Sequence, residues 1–133
     1  MSDLLATIPY ARFLGLTTER DGDALTVTMP FADRLVGNPM LPALHGGVIG
    51  AFMEMTALAQ LSLAQPGRRV PKTIDVTIEY LRSAGPKDTY ARAILRKVGR
   101  RVANVQVEAW QESRAKLVAG LTGHFLLRNE PTT

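Results

Sequence analysis

A chain of 133 residues with 46% hydrophobic and 21% charged residues has the composition of an ordinary globular protein and fits one domain around a single core. It has no cysteine, which excludes disulfides, thiolate catalysis and thiolate metal ligation, and with His45 and His124 as the only imidazoles a metal site is not expected. Net charge is +4, and the basic residues cluster most densely at Arg96-Lys97-Val98-Gly99-Arg100-Arg101; this patch is either a solvated turn between two strands or the mark of an anionic partner, for which a small phosphorylated molecule suits better than nucleic acid, because neither stacking aromatics nor a recognition motif accompanies it.

At the start, Met1-Ser2-Asp3 lacks a basic n-region and the apolar residues after it are too few for a signal peptide, while no apolar run reaches the ~18 residues of a membrane span. A cytoplasmic location without membrane attachment is expected. A short helix is predicted over residues 2–7 with Ser2 as its cap. Asp21-Gly22 is a hairpin turn signal joining a short strand near Leu16 to Glu19 with a second in which Leu25, Val27 and Met29 alternate with Thr26 and Thr28. Asn38-Pro39 and Pro42 disfavour regular structure, so Gly37 to Pro42 reads as a loop.

Only one long helix fits, from about Gly46 to Ala64, and it is apolar nearly all round: Val48, Ile49, Phe52, Met53, Met55, Leu58, Leu61 and Leu63. From residue 70 onward the chain reads as strands. Ile74, Val76, Ile78 and Tyr80 are expected on one face with Asp75, Thr77 and Glu79 opposite, and Ala103, Val105, Val107 and Ala109 repeat the pattern against Asn104, Gln106, Glu108 and Trp110. Thr89 to Val98 and Lys116 to Leu127 complete about six strands, separated by turns at Ser83 to Asp88, Val98 to Arg100 and Gln111 to Ala115. A helix apolar on every side must be enclosed, and a sheet with one apolar face encloses it by curling. The expected fold class is α+β: a curved antiparallel β-sheet of five to six strands wrapped around one long central α-helix, in a single domain over residues 1–133.

Glu54 is the misplaced group in that helix. At ~100° per residue it shares a face with Gly47, Gly50, Ala51, Ala57 and Leu58, and the weak polar stripe of Thr56 and Gln60 lies roughly 200° away, so Glu54 does not extend a solvated edge. Small neighbours leave room for another chain or a substrate, and a carboxyl in a crevice is a candidate general base or nucleophile. The Gly46-Gly47 start supplies backbone N–H groups and a partial positive charge with no side chain in the way, which suits a developing oxyanion. Glu54 lies roughly 13 Å past His45 along the axis at ~1.5 Å per residue, too far for one helix to bring both to one carbonyl. A two-fold dimer with antiparallel helices brings Glu54 of one protomer to Gly47 of the other and creates two equal sites.

His45-Gly46-Gly47 with an acid nine positions after the histidine, the run TIDVTIEYLRSA from Thr73 to Ala84 and the run GRRVANVQVEAW from Gly99 to Trp110 together resemble the hotdog-fold acyl-CoA thioesterases, in the branch that includes the phenylacetate-degradation enzymes. The resemblance covers nearly the whole chain. It implies hydrolysis of an acyl- or aryl-CoA thioester by a homodimer, open to pairing again into a dimer of dimers, with no cofactor beyond the CoA moiety of the substrate. Glu54 takes the position of the catalytic acid, and Gly47, with Gly46 beside it, the position whose N–H polarises the carbonyl. Thr73 matches a Ser or Thr that in some members helps hold the hydrolytic water. Arg82, Arg100 and Arg101 fall in segments that in relatives meet the CoA phosphates, and His45 matches a histidine that fixes its loop through backbone hydrogen bonds. Relatives often place an Asn or Gln six residues before that histidine; here position 39 is proline, and Asn38 takes the role only if the loop bulges by one.

Two other readings belong beside this one. GNPMLP followed by an acidic helix residue and ALAQ echoes the acyl-carrier-protein dehydratases, but these need a histidine just ahead of the Gly-Asn-Pro run, where this chain has Arg34, Leu35 and Val36. A catalytically silent acyl-CoA-binding hotdog protein would keep the cleft and the basic residues without needing Glu54.

Overall fold

The computed structural model describes residues 4–40 and 42–128, except for the side chain of Asn38. Helix α1 (Leu4–Thr7) is followed directly by α2 (Pro9–Leu14). The sequence reading missed α2, and the Ser2 cap lies outside the described residues. Two signals mark α2: Pro9 opens it, where proline's missing N–H costs nothing, and Gly15 closes it in the left-handed conformation (φ 72°), its N–H turned back on Arg12. The hairpin of β1 (Thr17–Asp21) and β2 (Ala24–Met29) turns at Gly22, whose φ of 61° favours glycine. Leu25, Val27 and Met29 face the core, as their alternation requires.

A 3₁₀ turn (Asp33–Leu35) leads into a small antiparallel ribbon of β3 (Val36–Asn38) and β4 (Ala43–Leu44). The segment expected to be a loop is therefore strand at its beginning. Gly37 makes this possible, because a Cβ there would lie 2.9 Å from the Cα of His45.

Helix α3 spans Gly46–Ala64, with the bounds its sequence predicts. Around it lies a six-stranded antiparallel sheet in the order β1-β2-β6-β7-β8-β5, completed by β5 (Arg69–Tyr80), β6 (Thr89–Val98), β7 (Val102–Trp110) and β8 (Leu117–Arg128). This is the hotdog architecture. Nineteen residues of mean hydropathy 1.4 would suffice by length and composition to cross a bilayer, yet here the sheet closes over them. The inner face of the sheet is floored by small residues, Ala91, Ala93, Ala103, Ala109 and Ala119, against which α3 lays Phe52, Met53 and Leu61. The bulk of this core comes from both layers, from Phe52, Met53 and Leu61 of the helix and from Val27, Met29, Val105, Val107, Leu121 and Phe125 of the sheet.

Thr56 and Gln60, the expected polar stripe of α3, are buried instead. The Thr56 hydroxyl donates to the Phe52 carbonyl one turn back (2.9 Å). Gln60, 6% exposed, accepts the Leu25 N–H (2.9 Å) and donates to the Asp23 carbonyl (2.7 Å), pinning the β1–β2 hairpin to the helix. Gln60→Leu would leave the buried Leu25 N–H without its acceptor and release the Asp23 carbonyl of the hairpin to solvent. We expect it to lower stability by about 1–3 kcal/mol in urea titration, with the fold unchanged by circular dichroism.

Strand β5 departs from simple alternation. Pairing with β8 runs Tyr80↔Ala119 to Asp75↔His124, then slips by one at Thr73↔Phe125, so Ile74 is the extra residue of a bulge. Val76 and Ile78 keep the inner face as predicted. Ile74 is thrown outward (53% exposed), and Tyr80 lies beyond the core over the start of α3 (54% exposed), which corrects the expectation of one apolar face shared by all four. The bulge also reverses the parity of Thr73. Without it Thr73 would point outward with Asp75 and Thr77; with it Thr73 lies opposite the fully buried Phe125 and faces α3.

Candidate active site

Strand β5 runs back alongside α3, with Thr73 at Glu54, Ile78 at Gly50 and Tyr80 at Gly46. Glu54 is half-buried in the middle of the helix, and its Oε2 accepts the Thr73 hydroxyl at 2.8 Å. Two residues singled out separately in the sequence are thus in direct contact. The hydroxyl holds one carboxylate oxygen and leaves the other for a water or a carbonyl carbon.

The face of α3 bearing Glu54 is only partly the small-residue opening expected. Gly50 and Ala57 are buried under their own chain, and a Cβ on Gly50 would meet Ile78 Cδ1 at 2.8 Å. Gly47 is exposed, and Ala51, Glu54 and Leu58 are only partly covered, a stripe along one side of the helix. This stripe runs beside β5, the last strand of the sheet, whose outer edge has no partner strand among the described residues.

At the helix start His45 is the N-cap, and its Nδ1 accepts the Gly47 N–H at 2.9 Å. His45 is held in turn by its own N–H to the Leu35 carbonyl (2.8 Å), and its carbonyl accepts the N–H groups of Val48 and Ile49. A Cβ on Gly47 would lie 3.0 Å from the imidazole, so glycine there makes room for the ring as well as for a ligand. The Gly46 N–H has no partner among the described residues. Tyr80, which the sequence reading did not single out, donates its hydroxyl to the Gly46 carbonyl at 2.7 Å. Because α3 is continuous, Gly47 and Glu54 of one chain stay seven residues, roughly 10 Å, apart along the axis.

The basic residues do not gather at one place. Arg82 lines a groove of about 390 Å³ with Gly46, Ile49 and Tyr80, and donates to the Leu117 carbonyl at 2.6 Å. Arg100 and Arg101 are exposed in the β6–β7 turn at the far end of β8, where the Arg101 carbonyl accepts the Leu127 N–H (2.7 Å). From Leu117 to Leu127 is roughly 30 Å of strand at ~3.3 Å per residue, so Arg82 and the arginine pair serve opposite ends. The far end also holds Arg69 and Arg128, paired across β5 and β8. The backbone of Asn38 closes β3 after a one-residue register shift; its side chain lies outside the described residues. His124 is on the outer face of the sheet between Asp75 (2.9 Å) and Asn104 (3.2 Å), away from α3.

The sequence profile of the thioesterase superfamily matches residues 41–118, more than half of the chain and the whole of the helix start, α3 and β5. The chain belongs to the thioesterase superfamily. Among solved structures it is similar to a protein from Chromobacterium violaceum, with 36% identity over 96% of this chain and 89% of the other and a TM-score of 0.77. It is also similar to a thioesterase from Haemophilus influenzae (26% identity, 94% and 86% coverage, TM-score 0.82) and to a phenylacetic acid degradation-related protein from Ralstonia eutropha (25% identity, 92% and 96% coverage, TM-score 0.80). No curated protein matches the chain by sequence. A carboxylate steadied by a hydroxyl is a group able to deliver oxygen to a carbonyl carbon, and a glycine-lined helix start is one able to receive negative charge on an oxygen.

Proposed function

We propose that this protein hydrolyses an acyl- or aryl-CoA thioester to the free acid and CoA at two equivalent sites, each built across a homodimer. The thioester carbonyl of the substrate lies on the Gly47 N–H of one protomer, and Glu54 of the other activates water or attacks the carbonyl carbon itself. The C–S bond breaks and the thiolate leaves with a proton as CoA; water's oxygen ends in the acid when Glu54 activates water, and in the Glu54 carboxylate when Glu54 attacks and water then opens the anhydride at the Glu54 carbonyl. The observation that carries the reading is the Thr73 hydroxyl on the Glu54 carboxylate, on a face of α3 that its own sheet covers only in part.

Antiparallel pairing of two α3 helices about a two-fold axis covers that face and sets each Glu54 opposite a helix start. The same symmetry brings Arg82 of one protomer to the end of the site where Arg100 and Arg101 of the other lie, so the two separated basic groups converge on the CoA phosphates. His45 holds the Gly47 N–H until the substrate oxygen shares it or takes it. Asn38 stands near this loop as a further contact for the water or thioester. The dehydratase alternative has no base to use: Leu35 is fully buried and Arg34 is drawn onto the Phe13 carbonyl at 2.6 Å.

Thiol release from a panel of aliphatic and aryl acyl-CoA esters tests the proposal. Turnover of at least one ester supports it, whereas tight binding of every ester without release would identify a silent binder. With the preferred ester, Arg100→Gln with Arg101→Gln should raise KM about three- to tenfold, most at low salt, with kcat within about twofold, because phosphate contacts remote from the carbonyl bind ground and transition states alike.

A further inference from the structure

The Gly46 carbonyl and the Gly47 N–H are the two ends of one peptide group. That group is held at both ends: the Tyr80 hydroxyl donates to its oxygen at 2.7 Å, and His45 Nδ1 accepts from its N–H at 2.9 Å. Because the peptide is planar, fixing the oxygen fixes the direction of the hydrogen opposite. A donor on the oxygen also draws electron density from the nitrogen, and the N–H becomes a stronger donor. The Tyr80 ring lies against the bare backbone at the start of α3: a Cβ on Gly46 would touch the ring at 3.5 Å, and one on Gly50 would touch the hydroxyl at 3.4 Å and crowd Ile78 Cδ1 at 2.8 Å. Tyr80 contributes little to the core, being 54% exposed at the end of β5.

We propose that Tyr80 is a positioning residue of the thioesterase site, which acts through the Gly46–Gly47 peptide by aiming and polarising the N–H that receives the substrate carbonyl. The inference rests on the reading of Gly47 as the carbonyl-polarising group. When the thioester oxygen displaces the His45 imidazole from that N–H, the grip of Tyr80 on the other end keeps the donor pointed where the imidazole had been. Two glycines in the first turn and a tyrosine at the end of the neighbouring strand thus form one device.

Tyr80→Phe keeps the ring and removes only the donor. Its kcat should fall about three- to tenfold, the loss expected for one neutral hydrogen bond, with KM within about twofold and an unchanged melting temperature. A merely structural role would lower the melting temperature or raise KM and leave kcat alone. The second readout is the carbonyl stretch of a ¹³C-labelled thioester bound to the Glu54→Gln protein, which should lie at lower frequency than in water and recover part of that shift in Glu54→Gln with Tyr80→Phe. Fluorinated tyrosine at position 80, a stronger donor of nearly the same shape, should move the band further down and covers the case in which Tyr80→Phe folds poorly. An inactive Glu54→Gln protein together with an unaltered kcat and carbonyl band in the Tyr80 variants would overturn this inference alone. Full activity in Glu54→Gln would overturn the functional reading beneath it.

Discussion

Replacing Glu54 by glutamine is expected to lower kcat by about two to four powers of ten while the protein folds and binds its thioester as before. The amide keeps the shape of the side chain and an oxygen able to accept from the Thr73 hydroxyl, so the contact at 2.8 Å between β5 and α3 survives. The ability to take a proton or form a bond to carbon does not. Thiol release under saturating ester measures the first effect, and calorimetric titration with intact ester measures the second. A variant as active as the parent would remove Glu54 from the chemistry. Single turnover in ¹⁸O-water then tests the covalent route open to the carboxylate: label in Glu54 itself marks an anhydride intermediate, and its absence argues against one opened at the Glu54 carbonyl.

The second large effect should appear on mixing two inactive proteins. In Gly47→Pro the carbonyl-polarising N–H is gone within the first helical turn, where no intrahelical bond is lost and the His45 imidazole must swing off that position, and in Glu54→Ala the acid is gone. Each homodimer lacks one component at both sites. In a mixed dimer one site has lost both components, while the other draws its intact acid from the Gly47→Pro chain and its intact glycine from the Glu54→Ala chain. Random reassembly makes half of the dimers mixed with one complete site in two, so co-refolding or co-expression should restore about one quarter of the parent rate from a background at least a hundredfold lower. No recovery, with mixed dimers verified by mass spectrometry, would mean that each chain builds its site alone.

Much of this architecture is legible in the sequence because it rests on strong periodic signals. The helix is apolar on all sides between a glycine pair and a polar segment, and Ala103 to Ala109 alternate without interruption; both emerge as read. What the sequence hides depends on register and on chain crossing. Ile74 is an unremarkable β-branched strand residue, yet it is the one that bulges, and a single unpaired position carries Thr73 from the outer face to the inner. Gln60 looks like part of a wet stripe because nothing local shows that a hairpin far upstream will offer it an N–H and a carbonyl. The Tyr80 hydroxyl meets Gly46 only after β5 has returned along the helix, and Arg69 joins Arg128 only through strand pairing. Helix α2, by contrast, carried its markers in plain view at Pro9 and Gly15.

The methyl floor beneath α3 sets the height at which the whole reactive assembly rides. Ala91, Ala103, Ala109 and Ala119, all fully buried, act as shims: each is the thinnest chiral side chain available, so enlarging one to valine overpacks the layer and presses the helix away from the sheet. Because Glu54 is mounted on the lifted part and Thr73 on the stationary one, the gap between them is calibrated from underneath, by residues that never meet a thioester.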